Sequence, residues 1–358
     1  MVKIFEDKQV LREILERLYF EEKCSLNTIA RILNVGHTTV WRWFKELGIP
    51  RRALSDAISL ALSSTHHRPY NPSKDENTII ELNALIHTDF TKEHTCRKIR
   101  VKSATSHIGQ IYFFNKIATS HNLMPVRCAP VKHYFKKQVP FYELPYEWRI
   151  YTHLDESFKG VINDNKIRYL ESLKDDKGSL LLYFTRLVEC DGWIEIRRVS
   201  CSKKAPYREK IYAYIVFGQK NREYIQRLGE IIGETFNIPV SYDYYKKRGL
   251  IELLLLVMDK RVKGLLRKMP MVHPERNLKR ELALKYTGEE VTDDLLREIN
   301  SAREAIRRLR DLTVELAEER YRLEKRKRVM AADELVEEVL KRYAERFNDH
   351  DVERYFRI

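Results

Sequence analysis

The stretch Leu180-Leu181-Leu182-Tyr183-Phe184-Thr185-Arg186-Leu187-Val188-Glu189-Cys190-Asp191-Gly192-Trp193-Ile194 decides how this chain is read. An apolar helical run ends on a carboxylate, and a glycine, an aromatic and a β-branched residue come at once after it. An acid in the last turn of an apolar helix opposes the helix dipole and gains little from solvent. A chemical role is the simplest reason to keep it there. A second copy, Ile79-Ile80-Glu81-Leu82-Asn83-Ala84-Leu85-Ile86-His87-Thr88-Asp89-Phe90, places Asp89 102 positions before Asp191. There too an apolar helix delivers an aspartate, and a basic alternating stretch comes next.

The repetition continues downstream of both aspartates. After Asp89, the run Arg97-Lys98-Ile99-Arg100-Val101-Lys102-Ser103 sets Ile99 and Val101 on one face of a strand and Lys98, Arg100 and Lys102 on the other. A helix is expected over 107–119. Extended pieces come next around 124–134 and 146–154, separated by a basic loop with Lys136 and Lys137. After Asp191, a strand over 193–199 points Arg197 outward, and a turn carries Lys203 and Lys204. A strand over 207–217 then alternates Arg208, Lys210, Tyr212 and Tyr214 against Ile211, Ala213, Ile215 and Phe217. A helix over 221–236, a hairpin whose turn holds Lys247-Arg248-Gly249 just after Lys246, and a helix over 259–268 complete the unit.

Leu82-Asn83-Ala84-Leu85-Ile86-His87-Thr88-Asp89-Phe90 and Phe184-Thr185-Arg186-Leu187-Val188-Glu189-Cys190-Asp191-Gly192 resemble the signature nonapeptide of LAGLIDADG homing endonucleases. Apolar helices ending in Asp are common, so the weight lies in the tandem pair and in the α-β-β-α-β-β-α order that each heads. Phe217-Gly218-Gln219-Lys220 is similar to the family's polar pair at a strand end. Met269-Pro270-Met271-Val272-His273-Pro274-Glu275-Arg276-Asn277-Leu278-Lys279-Arg280 is similar to its segment carrying a basic residue near the reaction centre, with Arg276 where Lys is usual. Asp89-Phe90, Tyr146-Glu147-Trp148 and Leu154-Asp155-Glu156-Ser157-Phe158 look like archaeal members with an N-terminal helix-turn-helix. The resemblance spans roughly 25–287.

The resemblance implies an α+β fold, a tandem (αββαββα)2 pseudo-dimer with saddle-shaped sheets over the major groove of double-stranded DNA, and site-specific phosphodiester hydrolysis. Two carboxylates brought together at the pseudo-dimer centre cannot both stay ionised unless cations lie between them. Mg2+, or another divalent cation, suits such a site because it takes oxygen ligands and completes its shell with water and substrate phosphates. Asp89 and Asp191 are the expected catalytic residues and metal ligands, and Gln219, Lys220, Arg276 and Lys279 are candidates for basic or polar roles at the reaction centre. Glu189 is expected to face away from that centre, with His87 at the equivalent place in the first half. Ala84, Thr88, Arg186 and Cys190 fall where the paired helices call for small residues. Arg186 and Phe90, which stands where the family has Gly, depart from the pattern. The alternative is a catalytically silent DNA-binding protein on the same scaffold: a transcription regulator, a splicing cofactor or an assembly component.

The ends are of a different kind. Residues 9–22, 25–33 and 38–47 read as three helices, with Ser25 capping the second and Gly48 and Pro50 stopping the third. The spacing is that of a helix-turn-helix, with Thr38, Thr39, Trp41, Arg42 and Lys45 facing outward and Arg51 and Arg52 trailing to a phosphate strand. One of Trp41 and Trp43 belongs to its core. Prolines mark 53–74 as a linker, and Ser73 to Glu76 reads as a capping box. From 288 on the chain is helical, with Leu295, Ile299, Ala302, Ile306, Leu309, Leu316 and Leu323 recurring at 4-3 spacing. The domains read as 1–52, a linker 53–74, half-domains 75–172 and 173–287, and a helical tail 288–358. The tail folds back on the body, or offers 291–347 to a partner or to a second copy of an otherwise monomeric chain.

The bulk figures agree with a polyanion partner. The net charge is +14, and positions 92–149 carry 11 Lys and Arg against 3 Asp and Glu, whereas the stretch from 288 carries 16 against 19. No run of about 18 apolar residues is present to span a bilayer, so no membrane role is expected. The N-terminus lacks a signal pattern, and five scattered cysteines form no zinc or disulfide framework. A cytoplasmic, nucleoid-associated location is the resulting expectation. Richness in Lys, Arg, Glu and Tyr fits a thermophilic source.

Overall fold

The computed structural model describes residues 8–22, 24–51, 75–95, 98–132, 146–154, 158, 160–200, 209–245, 249–324, 328–348, 352 and 356, without the side chains of Thr95 and Lys98. Of the expected DNA contacts, Arg52, Lys136, Lys137, Lys203, Lys204, Arg208, Lys246, Lys247, Arg248 and the side chain of Lys98 lie outside the described residues, as does the linker. The chain forms two compact units, 1–69 and 70–358.

In the first unit, α1 (Lys8–Glu16) runs on into a widened π-helical turn, and α2 (Leu26–Ile32) and α3 (His37–Glu46) come after it. Ser25 caps α2 by accepting the Thr28 N–H at 3.1 Å. Asn34 and Gly48 take the positive φ values of 52° and 64° that turn the chain before and after α3. Leu11, Leu15, Ile29, Val40 and Phe44 close a small core. The third helix begins at His37, one residue before the position expected. Thr38, Trp41, Arg42 and Lys45 are exposed on it and Thr39 is half-buried. Trp43 packs against the core, and Trp41 stays 42% exposed with the Lys45 ammonium 5.8 Å from its ring.

The second unit repeats one plan twice. The first pass is α4 (Glu76–Ile86), β1 (Thr91–Thr95), β2 (Lys98–Thr105), α5 (Ile108–Ser120), β3 (Arg127–Lys132), β4 (Tyr146–Leu154) and α6 (Lys166–Leu173). The second is α7 (Lys177–Cys190), β5 (Gly192–Ser200), β6 (Glu209–Gln219), α8 (Arg222–Phe236), β7 (Ser241–Tyr245), β8 (Leu250–Leu256) and α9 (Lys260–Lys268). Both sheets are antiparallel with the same strand order, β1-β2-β4-β3 and β5-β6-β8-β7. α4 starts from Asp75, whose carboxylate accepts the Thr78 N–H at 3.2 Å, so the cap lies two residues after the expected Ser73.

Alternation along the strands decides the faces. Ile99, Val101, Trp148 and Ile150 of the first sheet are buried on one face, while Arg100, Lys102, Arg149 and Tyr151 look the other way. In the second sheet Ile194, Ala213, Ile215, Leu253 and Leu255 are buried, and Arg197, Tyr212 and Tyr214 occupy the open face.

The remaining elements are α10 (Pro274–Tyr286), α11 (Asp293–Arg322), β9 (Met330–Ala331) and α12 (Ala332–Phe347). Thr292 caps α11 by accepting the Leu295 N–H at 3.3 Å. The first turns of α11 bury Leu295 and Ile299 against Ile211 of the second half. Its later turns bury Leu309, Leu312, Leu316 and Ala317 in the core of the first half. The Trp148 Nε1–H donates to the Thr313 carbonyl at 2.9 Å, and β9 pairs with β3 at the edge of the first sheet. At about 1.5 Å per residue, a helix of this length spans about 45 Å, enough to cross both halves. From Leu295 to Leu316 its 4-3 apolar repeat is thereby covered within the chain, while Leu323 stays 40% exposed.

Candidate active site

α4 and α7 pack side by side, with Ile80 and Ala84 of α4 buried in one apolar cluster with Phe184, Leu187 and Val188 of α7. They bring Asp89 and Asp191 together at one end of the pair, with the two carboxylates in hydrogen-bonding contact. Burial, the hydrogen bond to Asp89 and the charge of Asp89 push Asp191 up to about 8, against the opposing pull of Gln219 and Lys166. Like charges forced together thus favour the protonated form of Asp191.

The surroundings of each acid come from both halves. Gln219, at the end of β6, donates from Nε2 to Asp191 Oδ2 at 3.0 Å and to the His87 carbonyl at 2.9 Å. Lys166, at the start of α6, donates to Gln219 Oε1 at 3.0 Å and also to the His87 carbonyl. Desolvation lowers its pKa while Asp191 opposes the shift. On the other side, Asp89 shares a cavity of about 120 Å3 with Ser103, Thr105, His107, Gln110, Cys190, His273, Glu275 and Arg276. Gln110 Nε2, His273 Nδ1 and Arg276 Nε have no protein partner there. A polar space of this size suits about four waters.

The residues two positions before each aspartate do matching work. The His87 ring, held neutral with its pKa pushed down to about 4 mainly by burial, donates from Nε2 to the Asn163 carbonyl at 2.6 Å. Its Nδ1 accepts from the Tyr183 hydroxyl at 2.6 Å. Glu189, fully buried, accepts the Val272 and His273 N–H groups, the latter at 2.6 Å. Each thus fixes the chain three residues before a cation, Lys166 in one half and Arg276 in the other. The expectation that Glu189 faces away from the aspartates holds, but it points into protein. It belongs to a buried network in which Arg186 bridges Glu189 and Glu81, with 2.6 Å to the latter, and Glu81 also pairs with His121. Burial opposes the Arg186 charge, yet these two carboxylates hold its pKa above the usual value.

This network explains the first departure from the expected small residues, since Arg186 lies in the helix interface as the counter-ion of Glu81 on the opposing helix. The second departure has a geometric reason. A Cβ at Gly192 would lie 2.6 Å from the Val216 carbonyl oxygen and 2.7 Å from Val188 Cα, so only glycine fits. In the first half α4 ends at Ile86, and three turn residues precede Phe90, which packs against Phe114 with 4.6 Å between ring centroids. Gly109 is a further close approach: a Cβ there would stand 2.6 Å from His273 Cε1 and 3.1 Å from Glu275 Cγ, so α10 seats tightly against α5.

The structure therefore groups Asp89, Asp191, Gln219 and Arg276. It leaves Lys220 exposed, and it places Lys279 in a separate cavity with Trp193, Glu195 and Arg303. Lys166 was not singled out from the sequence. Among the described residues no cluster of three or more His, Cys, Asp or Glu side chains gathers to hold a metal. The fit for a divalent cation rests on the two carboxylates alone, whose mutual repulsion a cation would neutralise.

No family model matches the chain, and no curated protein matches it. Among solved structures it is similar to the homing endonuclease I-DmoI in complex with DNA and Mn (12% identity, 55% of this chain and 97% of that one, TM-score 0.34). It is similar to I-WcaI bound to its DNA recognition sequence (14%, 65% and 95%, TM-score 0.41) and to the N-terminal LAGLIDADG domain of DUF199/WhiA (13%, 62% and 95%, TM-score 0.32). At this identity and these TM-scores the likenesses carry no argument about the chemistry of this chain. Among the described residues no helix is long and apolar enough to cross a membrane.

Proposed function

We propose that the chain is a LAGLIDADG-type endonuclease that binds double-stranded DNA and hydrolyses phosphodiester bonds at Asp89 and Asp191 with a divalent cation such as Mg2+. The observation that carries the proposal is the meeting of one carboxylate from each repeat at the end of the helix pair, close enough for Asp89 to raise the pKa of Asp191. Asp89 and Asp191 would hold the cation, which when bound would supply an acidified water and charge neutralisation at the phosphate. Gln219 orients Asp191 through Oδ2, and the Gln219 amide is itself pinned by the His87 carbonyl and Lys166. Lys166 and Arg276 are the cations available to a phosphate oxygen on either side.

The half-domains divide at about 172/173, the sheets form the DNA saddle, and 1–52 form a helix-turn-helix head that adds contacts through the exposed face of α3. A cytoplasmic, nucleoid-associated monomer fits this work. A catalytically silent DNA-binding protein is the second reading. It is favoured by the Asp89 side, where Thr105 ends β2 in the place that Gln219 holds at the end of β6. Incubation with random-library DNA and Mg2+ separates the two. Double-strand ends that vanish in Asp191→Asn while binding persists support cleavage, and intact DNA supports the silent protein.

A further inference from the structure

The open faces of the two sheets, alike in topology, are opposite in charge arrangement. On the first, Glu93 is surrounded by cations: Lys102 is ion-paired with it, Arg100 lies 3.8 Å away, and Arg149 adds its field. The same face carries Arg127 and Glu147, so four described cations stand against two carboxylates. On the second, Arg197 is surrounded instead. It pairs with Glu195 at 2.7 Å, lies 5.5 Å from the centre of the Tyr214 ring and faces Tyr245. Asp243 and Glu252 share that face with Lys210 as the only other described cation, giving two cations against three carboxylates. Tyr212, Tyr214 and Tyr245 fill the space between.

We infer that the open face of the first sheet carries more of the phosphate grip on duplex DNA than the described open face of the second, where Arg197 is neutralised in place. The inference rests on the DNA-binding reading above and adds an unequal division between the halves. A phosphate that meets a surplus cation releases condensed counterions, whereas a cation already paired within the protein releases few. Tyrosines offer the second face apolar area and hydroxyl groups, which suit contacts to base edges more than to a charged backbone.

The test uses the full chain in EDTA with a duplex enriched from a random library. The logarithm of affinity is measured against the logarithm of salt concentration. Replacing Arg100 and Arg149 together by Ala is expected to weaken binding at least tenfold at low salt and to flatten the slope by about 1.8, close to 0.9 for each lost phosphate contact. Replacing Arg197 and Lys210 together by Ala is expected to change the slope by no more than about 0.9 on the same scale, the share of Lys210 alone. Glu195→Gln frees Arg197 and is expected to steepen the slope by up to about 0.9. Equal flattening by the two double variants overturns the inference, and so does an unchanged slope in Glu195→Gln. Unaltered circular dichroism shows that each variant has folded. Failure to enrich any duplex at all sinks the DNA-binding reading itself, a different result from equal slopes.

Discussion

In the second half α7 runs straight to Cys190, and the chain enters β5 at a glycine that no other residue can replace. In the first half α4 stops at Ile86, turns through His87, Thr88 and Asp89, and enters β1 behind a buried phenylalanine. Both routes set an aspartate at the same place between the helices. The second does it by close backbone approach and the first by filling space with an aromatic ring. The same contrast recurs beneath the acids: a neutral imidazole fixes the leader of Lys166, and a buried carboxylate within an ionic network fixes the leader of Arg276. One carboxylate pair can thus be built by two local solutions, and only the end point has to be shared.

The strongest way to break this comparison is to remove the charge that the second half buries and the first does not. Arg186→Ala leaves Glu189 without its counter-ion and Glu81 with His121 alone, and should destabilise the protein by about 3–5 kcal/mol, read from the urea midpoint. A loss below about 1 kcal/mol would mean that the network is solvated.

Opposite size requirements at the two aspartates come next. Phe90→Ala opens a cavity and should cost about 3–5 kcal/mol. Gly192→Ala overpacks and should cost about 1–3 kcal/mol, although both changes arrive at the same residue. Equal tolerance of alanine at both sites in thermal melts would show that the two routes into the sheet are equivalent after all.

The pH dependence sharpens the comparison at the acids themselves. Asp191 has a folded pKa raised from 3.8 to about 8, so the folded state binds more protons than the unfolded one between those limits. This group's contribution to stability is therefore fully present below about pH 4 and is lost as pH rises through about 8. Without metal, Asp191→Asn should be more stable than the wild type at pH 8 by about 1–3 kcal/mol, with the difference vanishing near pH 4. The smallest expected effect lies away from the site. Trp148→Phe removes the bond to the Thr313 carbonyl and should cost about 1 kcal/mol beyond the change in packing.

Asp89 and Asp191 were legible because each closes a mostly apolar helical run, and the strand faces were legible because a period of two survives in Ile99-Arg100-Val101-Lys102 and Ile211-Tyr212-Ala213-Tyr214. Lys166 was not. It sits in Asn163-Asp164-Asn165-Lys166, a polar turn without periodicity, and acquires its place only when His87, 76 residues earlier, grips Asn163. Arg186 looked like a misfit for the same reason, since its partner Glu81 is 105 residues away and on the other helix. The destination of α11 was hidden too. A 4-3 apolar repeat states that a face must be covered, not by what.

The partner that covers it sets a timetable for synthesis. Trp148 and Ile150 leave the ribosome long before Leu309, Leu316 and Tyr343, which complete the same apolar cluster. With 165 residues between Trp148 and the carbonyl it binds, the half translated first is finished last. Until residues 305–343 follow, the apolar face around Trp148 stays without the cover that the long helix and its successor give it.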